Sequence, residues 1–328
     1  MKNLKTIVFL AVFSIVGSSA LYAQRVESDS KLIGKWDLTI IMEKDQLENL
    51  GMFRHGLMAS DGFPGWLEVK LSGFSTLVGY YVGYEGSARP IAEVKYDAEK
   101  DKYHFTIPPQ WMDIDDIYFE FSLKDDKLSG YKMLDGNKLK FTGVRAPSLK
   151  RSEPPVWGSP INLLTDNMDR WIIPENNKFK MVDGVLVNPE KGGNLITTQK
   201  FDDFKLSIEF KYPEGSNSGI YLRGRYEVQI EDSKGRADLV SIGGLYGFIA
   251  PSTNAAKGPG EWQTYEITLV GRHLTIVLNG IEVVSNRPIP GITGGSLDSK
   301  EGEPGPIMIQ GDHGPIEFRK FVITPSVN

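Results

Sequence analysis

Over residues 205–212 apolar and polar positions alternate, with Leu206, Ile208 and Phe210 on one side and Ser207, Glu209 and Lys211 on the other. A period of two is that of a half-buried strand, and it predicts one over Lys205–Tyr212. The turn residues Pro213, Glu214, Gly215, Ser216 and Asn217 follow. The alternation then resumes with Ile220 and Leu222 opposed to Tyr221 and Arg223, breaks at Gly224-Arg225, and returns over Tyr226–Ile230 with Glu227 and Gln229 on the polar side. This reading sets Glu209, Tyr221, Arg223, Glu227 and Gln229 side by side on one sheet face.

The same alternation runs through both halves of the chain. Between Leu32 and Arg145 it predicts strands over Trp36–Ile41, Trp66–Leu71, Thr76–Val82, Ile91–Tyr96, Tyr103–Ile107, Ile117–Leu123, Leu128–Lys132 and Lys138–Val144. Their separators, such as Lys124–Lys127 and Asp135-Gly136, carry hairpin turn chemistry. A meander of this kind removes its edges by closing, so a small barrel is expected over residues 24–145. Gly34-Lys35-Trp36 at the first strand and Arg145 after the last resemble the lipocalin arrangement, in which an arginine packs over a tryptophan at the closed end. The proline-rich, charged stretch 146–155 reads as a linker. Beyond it, residues 156–328 predict short strands around Ile161–Leu164, Trp171–Ile173, Phe179–Val182, Val185–Val187, Leu195–Thr198, Leu245–Ile249, Gln263–Val270, His273–Leu278, Ile281–Val284, Ile307–Gln310 and Ile316–Ile323. With the alternating core strands above, these make a two-sheet jelly-roll sandwich the expected architecture, and the chain all-β. Trp262 is expected to end a strand in the core. The long Gly- and Pro-rich loop 287–306 has the length of a lid or binding loop.

Composition changes this picture at the N-terminus. Lys2 and Lys5 precede the apolar run Ile7–Val16 and the small residues Gly17–Ala20, a secretory signal over residues 1–23 with cleavage after Ala20 or Ala23. The run is short of the ~20 residues that a membrane helix needs. Loss of the two lysines takes the net charge from −5 to −7, a surface that repels nucleic acid and anionic membrane. The chain has no cysteine, which excludes disulfides, thiolate metal sites and thiol nucleophiles. A periplasmic or secreted protein is expected. His55, His104 and His273 have no neighbours at ligand spacing and read as structural or exposed.

An ordinary solvated sheet face also alternates. Such faces favour Lys, Thr and Ser, whereas this one collects Glu, Arg, Tyr and Gln, side chains that bind and move protons. A second stretch, Ile307–Gly314, ends a strand at Gln310 and follows it with glycine-flanked Asp312-His313, which could bring an imidazole to the same face.

Together Glu209, Asn217–Ile220, Tyr226–Asp232, Tyr246-Gly247, Pro251, Gly260–Trp262, Asn279-Gly280 and Gln310–Gly314 resemble the 3-keto-disaccharide hydrolase family, also called domain of unknown function 1080, over roughly Val156–Pro325. The resemblance implies a concanavalin-like sandwich and action on glycosides oxidised at C3. It implies a lyase that expels the aglycone, a hydratase that adds water to the resulting 3-keto-2-hydroxy-glucal, or both, with a divalent metal ion as cofactor. On that reading His313 and Glu227 are the metal ligands and Glu209 is a ligand or the base. Tyr221, Arg223, Gln229 and Gln310 orient substrate hydroxyls. Two other functions compete: a conventional glycoside hydrolase using Glu209 and Glu227 as its carboxylate pair, and a non-catalytic carbohydrate-binding module.

Overall fold

The computed structural model describes residues 31–43, 62–84, 86–110 and 114–328. The expected signal peptide and His55 lie outside the described residues. Strands β1 (Gly34–Ile41), β2 (Phe63–Ser72), β3 (Thr76–Val82), β4 (Arg89–Asp97), β5 (Lys102–Ile107), β6 (Ile117–Lys124), β7 (Lys127–Leu134) and β8 (Asn137–Arg145) form a closed barrel in sequential order. Closure is made at β1, where Trp36 pairs with Leu67 on one side and with Arg145 on the other. The Arg145 guanidinium lies 3.8 Å from the centre of the Trp36 ring and donates to Ile33 O at 2.8 Å, the expected arginine-over-tryptophan seal. Asp125, Asp126 and Asp135 take left-handed φ values at the hairpin tips, a conformation that Asp tolerates better than most residues.

The rest of the chain forms a two-sheet sandwich. Its strands are β9 (Ile161–Asn162), β10 (Trp171–Ile172), β11 (Lys180–Val182), β12 (Val185–Asn188), β13 (Leu195–Phe201), β14 (Phe204–Lys211), β15 (Asn217–Leu222), β16 (Tyr226–Glu231), β17 (Gln263–Val270), β18 (His273–Leu278), β19 (Ile281–Pro288), β20 (Gly305–Ile309) and β21 (Ile316–Pro325). One sheet has five strands in the order β10-β13-β20-β15-β16; the other has the order β11-β12-β21-β14-β17-β18-β19, with β9 paired to β21. Leu206, Ile208 and Phe210 of β14 meet Ile220, Leu222, Tyr226, Val228 and Ile230 of the facing sheet in one apolar core. The alternation thus sorts core from surface as expected. The expected strand over Leu245–Ile249 is instead a tight turn, in which Leu245 makes single bridges to Val228 of β16 and to Ile249 and no ladder extends from them.

The barrel does not stand apart as an accessory unit. Trp66 and Val82, outward-facing on β2 and β3, join the sandwich core, and the Trp66 ring meets Phe248 edge-on at 5.4 Å. The linker is also pinned. Arg272 donates to Pro147 O at 2.8 Å and 3.0 Å, and Arg151 is paired to Asp203 at 2.6 Å.

Candidate functional site

The turn Pro213–Asn217 carries the chain from one sheet to the other, so β14 and β15 are not a hairpin. This corrects the shared face expected from the alternation. Glu209, on the outward side of β14, belongs to the larger sheet and accepts a hydrogen bond from Arg319 Nε at 2.5 Å. It is not brought to the other candidates. Trp262 is likewise outside the core, with the Arg319 guanidinium 4.4 Å and Lys211 Nζ 5.0 Å from its ring.

On the five-stranded sheet the register does assemble a polar face. Tyr221 of β15 stands opposite Glu227 of β16 and beside Met308 of β20. One row along, Gly219 stands opposite Gln229, and the Gln310 N–H donates to Gly219 O at 2.9 Å. Glu227, Gln229, Tyr221 and Gln310 therefore share the outer face, and all four are buried. Gly219 makes room at the centre, since a Cβ there would lie 2.4 Å from Glu227 Oε1. Gln229 turns its Oε1 onto the Ile230 N–H at 2.9 Å. Gln310 Oε1 is a buried acceptor with no donor among the described residues.

Arg223 leaves this face. It sits at the β15–β16 turn with φ of 53°, and its guanidinium donates to Asp202 O at 2.7 Å and to Asp203 Oδ1 at 2.9 Å. It ties the turn to residues 202–203 instead of orienting a substrate at Glu227. The polar alternation reads Arg223 as a sheet residue, but the left-handed turn swings it out of register.

Burial raises the Glu227 carboxyl to about 8, opposed by the neighbouring Tyr221 hydroxyl and by the nearby charge of His313. The Tyr221 phenol is held well above its ordinary value by burial and then by Glu227, and its hydroxyl donates to Gly294 O at 3.1 Å. Tyr246, whose N–H donates to Glu227 O at 3.0 Å, is pushed up to about 12 by burial and by Glu227. His313 is exposed and its Nδ1 lies 2.6 Å from Asp312 Oδ1, a bond that raises the imidazole above its usual range. Its partner Asp312, Tyr246 and the Glu227 N–H acceptor Thr293 were not singled out from the sequence. The glycine-flanked Asp-His dipeptide and the Tyr246-Gly247 pair were the only signals for two of them.

The expected metal ligands His313 and Glu227 lie near enough for their charges to act on each other. Among the described residues, however, no three His, Cys, Asp or Glu side chains gather as a group that could hold a metal ion. His313 Nδ1 is bonded to Asp312, which leaves Nε2 free, the usual arrangement of a metal-binding histidine. The free Nε2 of His313 and the Glu227 carboxyl are the groups that would hold a divalent ion, which would polarise a substrate oxygen there, and no chemical step below runs through one.

The family model described as the 3-keto-alpha-glucoside-1,2-lyase-like domain matches residues 159–324, a span that holds every candidate named above. Among solved structures, a candidate glycosyl hydrolase of Parabacteroides distasonis is 29% identical with a TM-score of 0.45, covering 53% of this chain and 92% of its own. A second from the same organism is 24% identical with a TM-score of 0.41, covering 51% of this chain and 98% of its own. Trypanosoma rangeli sialidase is 12% identical with a TM-score of 0.35, over 80% of this chain and 60% of its own. No curated protein matches the chain.

Proposed function

Because this chain belongs to the 3-keto-alpha-glucoside-1,2-lyase-like domain family, a family of carbohydrate-active enzymes, we propose that it cleaves 3-keto-glycosides by C2 proton abstraction and elimination, hydrates the resulting 3-keto-2-hydroxy-glucal, or does both. The observation that carries this reading is Glu227: a carboxyl sealed on a polar sheet face, raised to about 8, beside a tyrosine and a histidine.

The chemistry follows from the ketone. A C3 carbonyl acidifies the C2 proton, and the Glu227 carboxylate accepts it; a base whose pKa lies near the working pH is the effective one, worth about 10²–10⁴ in rate. The C2–H electron pair moves into the C2–C3 bond and places negative charge on the C3 oxygen. The His313 imidazolium, stabilised by Asp312, is the cationic donor on this face for that charge. The pair then returns to form the C1–C2 double bond, the C1–O bond breaks, and the aglycone oxygen takes a proton from His313 or from the protonated Glu227. Hydration runs the same geometry in reverse, with hydroxyl to C1 and a proton to C2, and the two steps sum to hydrolysis. Gln310 Oε1, a buried acceptor with no donor among the described residues, suits a sugar hydroxyl.

A retaining hydrolase needs two carboxyls ~5 Å apart and an inverting one ~6.5–9.5 Å. Glu209 and Glu227 point outward from opposite sheets that pack about 10 Å apart, so the fold does not favour that pair. The test is to incubate the full chain with an aryl 3-keto-glucoside and, separately, with 3-keto-2-hydroxy-glucal, each with and without chelator. Consumption of either supports the reading. Inertness toward both, with cleavage of the unoxidised glucoside, would replace it with conventional hydrolysis.

A further inference from the structure

Tyr221 and Glu227 are not held by their own sheet alone. Thr293 Oγ1 accepts the Glu227 N–H at 3.0 Å and Gly294 O accepts the Tyr221 hydroxyl at 3.1 Å. Residues 293–296 therefore form a strap across the outer face of β15 and β16, anchored at its base where the Thr293 N–H donates to Arg225 O at 2.9 Å. The far side of the strap rests on the barrel. Gly295 N–H donates to Tyr84 O at 2.7 Å, and a Cβ on Gly294 would stand 2.1 Å from Gly86 O. Tyr84 and Gly86 belong to the connection between β3 and β4. A Cβ on Gly295 would stand 2.4 Å from the Tyr221 hydroxyl. Only backbone fits between barrel and site, and for that close approach glycine is required on both sides.

We propose that the barrel is a positioning element of the catalytic site, acting through Tyr84 and Gly86 to press the strap 293–296 onto Tyr221 and Glu227. The inference rests on Glu227 being the catalytic group. A strap released from the barrel leaves Tyr221 and the Glu227 backbone without their fixed partners, and a displacement of ~1 Å in such groups costs about 10²-fold in rate.

The test uses the full chain with Gly294→Ala, Gly86→Ala and Trp66→Phe. The last weakens the barrel's docking on Phe248 while keeping an aromatic ring in the core. Two readouts are taken: kcat and KM on a 3-keto-glycoside, and amide deuterium exchange of the peptide containing Glu227 without substrate. Gly294→Ala and Gly86→Ala are expected to lower kcat by about 10- to 100-fold with KM within about twofold, and to speed exchange at Glu227 while β5–β7 keep their protection. Trp66→Phe should move both readouts in the same direction by less. Phe74→Ser, at a barrel tip that is 99% exposed, should leave both at wild-type values. Wild-type kcat and exchange in folded Gly294→Ala overturn the proposal, as does a loss in Phe74→Ser equal to that in Gly86→Ala. Should the glycine variants fail to fold, Trp66→Phe decides alone, and unchanged kcat and exchange in it overturn the proposal. If the wild type turns over neither 3-keto substrate, the functional reading fails while the exchange readout still decides the coupling.

Discussion

The outer faces of the two sheets carry the same alternating pattern and meet different fates. On the larger sheet Glu209 pairs with Arg319, Lys211 with Glu317 at 2.8 Å, and Ser207 with Glu266 at 2.5 Å, all at the solvent boundary. Pairs of this kind contribute about 0–1 kcal/mol each. On the smaller sheet Tyr221 and Glu227 lie beneath the strap, which the barrel covers in turn, and Gln229 is bonded through its backbone to Gly243 and Gly244. A carboxyl there loses its water and binds a proton up to a pH near 8. Both faces alternate, but coverage turns one of them into chemistry, and the covering segments lie 66 to 140 or more residues away in sequence from the carboxyl they bury.

The largest effect that would break this comparison comes from exchanging its two carboxylates. Glu227→Gln should reduce kcat/KM on a 3-keto-glycoside by about 10³-fold, within the range of a lost general base, whereas Glu209→Gln should stay within about twofold. Equal losses would show that coverage does not separate the two faces. A smaller loss is expected for His313→Ala, on the order of 10²-fold, with the fold retained because the ring is exposed. A wild-type rate in that variant removes the imidazole from the reaction. The pH profile sharpens the comparison further. The base works ionised and the imidazolium works protonated, so kcat/KM should climb as Glu227 ionises toward about 8 and fall again where His313 loses its proton. A limb at the ordinary carboxylate range would mean that Glu227 is hydrated in the working enzyme.

Local pattern carried the strands and half of the site. Leu206, Ile208 and Phe210, and equally Tyr226, Val228 and Ile230, are buried as their period requires. The spacing of Glu227 and Gln229 put them on one face, and the short turn at Gly224 made Tyr221 a cross-strand neighbour. What the pattern could not carry was which sheet a strand joins. Pro213–Asn217 has the composition of a hairpin turn and is a crossover between sheets, so Glu209 was placed beside residues from which the whole sandwich separates it. Arg223 failed for a local reason, since one left-handed residue ends the alternation. The strap and its rest on Gly86 were invisible because they are backbone contacts between segments about 200 residues apart, and no side-chain pattern encodes them.

The smallest effect concerns a second pair of covered carboxyls, where the same burial serves docking. Asp37 of β1 and Glu301, in the loop before β20, are buried at the barrel–sandwich junction and line one cleft of about 270 Å³. Two buried carboxyls on one cleft repel when both are ionised, so one of them holds a proton more tightly. Arg272 is paired to Glu301, and the Tyr226 hydroxyl donates to its Oε2 at 2.8 Å. Asp37 is raised to about 9, by burial first and then by the charge of Glu301. A raised carboxyl contributes stability that is complete below its unfolded value near 4 and is lost as pH climbs through about 9. Glu227 contributes in the same direction, but its share is spent by about pH 8. Between pH 8 and 9.5 the continuing loss belongs to the Asp37 pair. Asp37→Asn, which keeps a donor to Glu301 without a titrating proton, should therefore melt about 2–4 °C above the wild type at pH 9.5 relative to their difference at pH 8, the shift expected from about 1 kcal/mol. Parallel melting curves across that window would show that the junction does not hold the proton.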